Sequence, residues 1–261
     1  MPDDELLESI TEIARQAGQV ILQVYATSFS VRGKDDASPV TEADEQAEAV
    51  ILRALAALTP DIPVVAEESV AAGRVPDIGN AGGRFWLVDP LDGTKEFISR
   101  NGEFTVNIAL IEHGAPVLGV VLAPALSRLF AGSHGTGAFL IDASGRRAIH
   151  CRAVPEAGLT VVASRSHGDA AALDALLQGR KVASLASAGS SLKLCLVAAG
   201  EADFYPRLGR TMEWDIAAGH AVLAAAGGSV RRVGDGEPLR YGKPGFDNPH
   251  FIAAGLPSPT A

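Results

Sequence analysis

Apolar residues recur at Leu6, Leu7, Ile10, Ile13, Ala14, Ala17, Val20, Ile21 and Val24. That spacing lays one apolar stripe along a helix and predicts a helix over 4–25. The same rhythm at Ala47, Val50, Ile51, Ala54, Leu55 and Leu58 predicts a second helix over 42–58. Between them, "RGKDDASPV" (32–40) reads as a polar loop rich in turn formers. The apolar runs then shorten to strand length at Pro63–Ala66, Arg84–Val88, Thr105–Glu112, Pro116–Ala123, Arg128–Gly132 and Ala138–Ile141. "HGA" joins the third and fourth runs as a hairpin. The pattern predicts an antiparallel sheet with the two early helices packed on it.

Past about residue 155 the rhythm alternates. Strands are predicted at Thr160–Ala163, Lys181–Leu185 and Asp203–Tyr205, and helices at Asp169–Gln178, Ser191–Ala199 and Asp215–Ala226. Such alternation indicates an α/β second half. Pro and Gly punctuate Val154–Gly158, so two halves are expected, 1–155 and 156–261. The closing "GLPSPTA" reads as a frayed tail.

Composition narrows the classes. With 261 residues, 47% apolar and 20% charged, the chain is expected to be soluble and globular. A net charge of −9 argues against a nucleic-acid partner, which needs a basic surface. An anionic ligand would have to be drawn in by local cations or bound metal. Cys151 and Cys195 show no metal-ligand spacing and read as buried apolar residues. Met1 to Ser9 is acidic and amphipathic, without the basic-then-apolar pattern of a signal peptide. No apolar run approaches the length of a membrane span. The expectation is a cytoplasmic protein with no membrane partner.

The candidate chemistry is acidic. In "WLVDPLDGTKEF" (86–97) an apolar strand ends on Asp89, with Asp92 three residues later. Pro90 fixes the backbone there, Gly93 permits positive φ, and Thr94 reads as the N-cap of a helix beginning at Lys95. A helix start is a natural phosphate seat, but two carboxylates repel phosphate unless they hold divalent cations. Asp-Pro and Asp-Gly are also ordinary turn pairs. "VVAEES" (64–69) ends a second strand on Glu67 and Glu68, and the residues alone do not choose between them. Asp215 opens the helix of "MEWDIAAGHAVLAAAGG" (212–228), and Asp44 lies in the first turn of 42–58. Either acid has a simpler reading, as a complement to its helix dipole.

Taken together and in this order, these segments resemble the lithium-sensitive, Mg²⁺-dependent inositol monophosphatase superfamily. "DPLDGT" looks like its first signature, "VAEES" like its acidic motif, and "EWDIAAGHAVLAAAGG" like its second signature. The resemblance spans nearly the whole chain. It implies an α/β (α+β) fold, a layered αβαβα sandwich with the site between its halves. It further implies that Glu67, Asp89, the carbonyl of Leu91, Asp92 and Asp215 bind two or three Mg²⁺ ions. Asp44, Glu67 and Thr94 would be catalytic, with Thr94 orienting the attacking water. Gly93, Thr94 and Asp215 would also meet substrate. Ions roughly 3.5–4 Å apart activate a water and stabilise the leaving oxygen without a covalent intermediate. The three-residue spacing of Asp89 and Asp92 fits that mechanism. Aspartyl-phosphate phosphatases carry their two acids two apart, so that one attacks and the other protonates. The superfamily often forms dimers, so a homodimer is an expectation as well.

Within the superfamily, Lys95-Glu96, "ASRSH" (163–167) and "GSSLKLCLVAAGEADFYPR" (189–207) resemble the bacterial 3′(2′),5′-bisphosphate nucleotidase branch. That implies adenosine 3′,5′-bisphosphate as substrate, a by-product of sulfate assimilation. Ser190, Lys193 and Arg207 would then stand on the substrate side, a cation neutralising the second phosphate. Arg165, Ser166 and His167 otherwise read as a turn before a helix. Met212, Glu213 and Trp214 are candidates to shape the pocket, and Tyr205 and Trp214 to stack on a base. The alternatives are an inositol- or sugar-monophosphatase and, from another class, a metal-binding regulatory protein without turnover. The complete acid set argues against the last.

Overall fold

The computed structural model describes residues 3–33, 39–79, 83–163 and 170–256. Helices α1 (Asp3–Tyr25) and α2 (Glu42–Leu58) form where the apolar stripes predict them. The described ends of the polar segment between them pair with each other, as the short strands β1 (Val31–Gly33) and β2 (Pro39–Thr41). β3 (Val64–Ala66) runs straight into α3 (Glu67–Ala71), a helix the sequence reading took for a strand end. β4 (Arg84–Asp92) leads to α4 (Thr94–Ile98). The hairpin β5 (Thr105–Glu112) and β6 (Ala115–Ala123) follows, then β7 (Arg128–Ser133), β8 (Gly137–Asp142) and the unpredicted β9 (Gly145–Ile149). Strands β3 to β9 form one sheet in chain order, antiparallel except for the parallel β3–β4 pair.

The rest of the chain builds a second sheet. β10 (Leu159–Ala163), α5 (Ala170–Leu177), β11 (Val182–Ser187) and α6 (Leu192–Ala198) come first. β12 (Phe204–Arg207), α7 (Glu213–Ala225), β13 (Ser229–Arg232) and β14 (Phe251–Ala254) complete it. β11 and β12 start and end later than predicted, and α7 starts two residues earlier. The strand order is β11-β10-β12-β14-β13. Only the β11-β10-β12 part is parallel; β14 runs antiparallel to both neighbours. Leu256, placed in the expected frayed tail, bridges to Ala153.

Alternation along β4 shows how the layers arise. Trp86 and Val88 join a buried cluster with α1 and α2. Phe85 and Leu87 point the other way, into a cluster shared with α6, α7 and the second sheet. Because both faces are buried, the strand reads as a continuous apolar run. A third cluster, Leu159, Val161 and Phe204, packs with Leu176 and Leu177 of α5. The result is the expected αβαβα sandwich. α7 lies unusually close to the first sheet: a Cβ on Gly119 would come within 2.4 Å of the Ala218 carbonyl, and one on Gly132 within 3.2 Å of the Val222 Cα. Cys151 and Cys195 are buried free thiols, as expected.

Candidate active site

The acids of β4 sit at a local irregularity. Asp89 pairs with Asn107 and Asp92 with Thr105, and the register shifts between them. Such a shift re-aims side chains at a strand end. Asp89 is buried, and its Oδ1 accepts from the Leu91 N–H at 3.0 Å. Gly93 then adopts φ 90° and is itself the N-cap of α4, so Thr94 is the first helical residue rather than the cap. Only Gly enters this conformation freely, and a Cβ there would also meet Glu96 at 3.1 Å and Ser190 at 3.3 Å.

A cavity of about 280 Å³ opens at this point. Glu67, Asp92, Glu96 and Asp215 line it together with Lys95, Lys193 and Arg207, and Gly93, Thr94 and Ser190 share the lining. Glu67 therefore faces the cavity while Glu68 does not. Asp89 and Leu91 lie behind the lining. Asp44 also lies behind it, buried, and touches the site through Thr94, whose hydroxyl is 3.3 Å from Asp44 Oδ1 and 3.5 Å from the Leu91 carbonyl. Among the described residues no three acid, imidazole or thiol groups form a ready-made metal cluster; the acids ring a cavity instead.

Helices α2 and α7 each hold one acid by the same device. At the start of α2, Asp44 Oδ2 accepts from the Thr41 N–H at 2.8 Å and the Thr41 hydroxyl at 2.7 Å. At the start of α7, Asp215 Oδ2 accepts from the Met212 N–H at 2.9 Å. Both are third-position acids folding back on the cap residue. Asp92 and Asp215 are half-buried: they touch the cavity, and protein surrounds them elsewhere. Burial pushes the Asp92 carboxyl up to about 6, against the pull of the Lys193 ammonium. Burial, with Asp92 and Glu67 nearby, holds Asp215 well above the usual carboxylate range.

Lys193 is 3% exposed, and its Nζ donates to Ser190 O at 2.6 Å and Ala188 O at 3.2 Å. Burial lowers this ammonium to about 8, while Asp92 pulls it back up. Ser190 has φ 45°, and its hydroxyl, like Arg207 Nε, is buried without a hydrogen-bond partner among the described residues. Gly189 lets this turn press on the first half. A Cβ there would meet Glu96 Cγ at 2.7 Å, and Gly189 N–H donates to Glu103 Oε2 at 2.7 Å.

Other expected pocket residues stand elsewhere. Trp214 is buried against Phe246, and neither it nor Met212 lines the cavity. Glu213 is fully buried and accepts from Gly242 N–H, Lys243 N–H and Lys243 Nζ, tying down the chain after β13. Tyr205 lines the cavity but packs edge-on against Phe251. Arg165, Ser166 and His167 lie outside the described residues. The sequence reading missed Glu48, one turn beyond Asp44, although an acid within a buried helical stripe is itself a signal.

The layered sandwich and its acid-ringed cavity mark a class of protein, and the comparisons name it. The chain belongs to the inositol monophosphatase family, whose model matches residues 3–254. It is 49% identical over 250 residues to the 3′(2′),5′-bisphosphate nucleotidase CysQ of Escherichia coli K12, covering 94% of this chain and 98% of that one. It is 40% identical to the CysQ of Buchnera aphidicola, covering 97% and 94%. Among solved structures, CysQ from Bacteroides thetaiotaomicron superposes with a TM-score of 0.78 at 38% identity, covering 95% and 97%. No helix among the described residues is long and apolar enough to cross a membrane.

Proposed function

We propose that the chain is a metal-dependent 3′(2′),5′-bisphosphate nucleotidase that removes the 3′-phosphate of adenosine 3′,5′-bisphosphate to give AMP and phosphate. One observation carries this reading beyond the family: carboxylates and cations line a single cavity. A monophosphate ester needs only the carboxylates and the metal they would hold. A bisphosphate leaves a second charge to be met, and Lys193 and Arg207 would meet it. The CysQ relatives support the same substrate class.

The oxygen-only donor set fits hard divalent cations, and the raised carboxyls of Asp92 and Asp215 mark negative charge awaiting a counterion. Glu67, Asp89, the Leu91 carbonyl, Asp92 and Asp215 would hold Mg²⁺, two or three ions during turnover. Bound there, they supply an activated water and neutralise the phosphoryl oxygens. Thr94 Oγ1 donates to Asp44 Oδ1, so its lone pairs are left to accept from the attacking water and aim it. The first N–H groups of α4, which lack helical partners, take a phosphoryl oxygen. Lys193 has three donors and uses two on carbonyls, which leaves one for the second phosphate. Arg207, which lines the same cavity, adds a guanidinium.

The test is Mg²⁺-dependent phosphate release from adenosine 3′,5′-bisphosphate, inositol 1-phosphate and fructose 1,6-bisphosphate side by side. The first should win on kcat/KM. Preference for inositol 1-phosphate would make the chain an inositol phosphatase instead. Metal binding without release from any ester would favour the regulatory reading.

A further inference from the structure

We infer that Glu48 is a positioning residue for the cavity carboxylate Glu67: it sets Glu67 in place from α2 and so governs metal affinity without touching metal or substrate. The inference rests on the proposed role of Glu67 as a metal ligand.

The backbone elements on both sides of Glu67 are short. Glu67 opens α3, a helix of five residues. Its N-cap is Ala66, which has no side-chain oxygen to meet the first N–H groups. The preceding β3 has three residues at the edge of the sheet and pairs only with β4. A short edge strand followed by an uncapped turn is a weak base for a carboxylate that must sit within a fraction of an ångström.

Glu48 supplies the missing cap from another helix. Its Oε2 accepts from the Glu68 N–H at 2.8 Å and its Oε1 from the Ser69 hydroxyl at 2.7 Å. Glu48 is 4% exposed and Ser69 8% exposed. Burying a carboxylate is costly unless donors meet both oxygens, and here they do. The positive end of α3 adds to the match. Arg74 closes the group, its Nη2 standing 3.4 Å from the Ser69 hydroxyl.

The same helix carries Asp44 four residues earlier, on the same face. Asp44 reaches Thr94, and Glu48 reaches the two residues that follow Glu67. Helix α2 thus acts as a rigid spacer. One turn fixes the Thr94 end of the cavity and the next fixes the Glu67 end. Loss of the second tie lets Glu67 shift while the fold, held by Ala47, Ile51 and Leu55 on α2, stays intact. Groups behind a ligand typically set metal affinity by about 10–100-fold.

The experiment is calorimetric titration of the full chain with Mn²⁺, well below the melting temperature, beside the Mg²⁺ dependence of turnover. Glu48→Ala should weaken Mn²⁺ about 10-fold or more and raise the Mg²⁺ requirement similarly, with a smaller loss of kcat at saturating metal. Glu48→Gln should recover most of this, because its amide can accept from Glu68 N–H and donate to Ser69. Ser69→Ala, which removes one bond, should cost about two- to tenfold. Wild-type Mn²⁺ affinity in folded Glu48→Ala overturns the inference and makes Glu48 a stability residue only. If Glu48→Ala does not fold, wild-type affinity in Ser69→Ala overturns it equally. Asp92→Asn separates the two levels of argument. Should it bind Mn²⁺ normally, the metal site itself is misassigned; should it lose Mn²⁺ while Glu48→Ala does not, only the positioning role fails.

Discussion

Asp44 and Asp215 are held by one local motif in two different states. Both are third-position acids whose Oδ2 folds back on the cap N–H. Around Asp44 the donors include the Thr41 N–H, the Thr41 hydroxyl and the more distant Thr94 hydroxyl. Around Asp215 a methionine stands at the cap, and its charged neighbours in the cavity are Asp92 and Glu67, which outweigh the opposing Arg207. One carboxylate is satisfied by the fold. The other is raised by burial and like charge. The first should therefore contribute to stability, and the second should lower it in exchange for activity.

The largest effect that tests this contrast is on catalysis. Asp215→Asn keeps an oxygen for the Met212 N–H but removes the charge. Phosphate release should fall at least about 10²–10³-fold, while the metal-free protein melts higher than wild type. A lower melting temperature would break the contrast.

Asp44→Asn should behave oppositely in the melt. Its amide cannot accept from all three donors, so stability should drop by about 1–3 kcal/mol in a denaturant titration. No loss would mean that Asp44, too, is strained.

A pH series sharpens the point at Asp92. Its folded pKa is raised from 3.8 to about 6, so the folded state binds the proton more tightly than the unfolded one. Relative to Asp92→Asn, the metal-free wild type should lose stability as pH rises from about 4 through 6, by roughly 1–3 kcal/mol. Saturating Mg²⁺ should abolish that loss. A difference between the two proteins that is flat with pH would exclude an uncompensated charge at Asp92.

The smallest effect is at the cap. Thr41→Val removes one hydroxyl beside Asp44 and accordingly should cost about 0.5–2 kcal/mol by thermal melt, with Mn²⁺ affinity unchanged.

The contrast also explains what the sequence made legible. Helix α2 and strand β5 match their predicted bounds because long apolar periods leave little room for shift. Helix α3 has five residues and no period to read, so Glu67 and Glu68 looked like a strand end. Thr94 looked like a cap because Thr so often is one; Gly93, at φ 90°, takes that place. β9 is charged and mostly exposed, without an apolar signal. β13 and β14 are four residues each and pair with one another across an 18-residue connection. The cavity's acids were legible as a family pattern. The ties made by Glu48 and Glu213 were not, since their partners lie 20–21 and 29–30 positions away.

The seating of α7 on Gly119 and Gly132 has a practical consequence for redesign. This helix touches the sheet backbone to backbone, so the lever arm that carries Asp215 has no cushion of side chains to absorb a larger residue. A variant library aimed at new phosphate esters should leave Gly119, Gly132 and Ala218 untouched. Its diversity belongs at Thr211 and Ile216, which line the cavity without anchoring that contact.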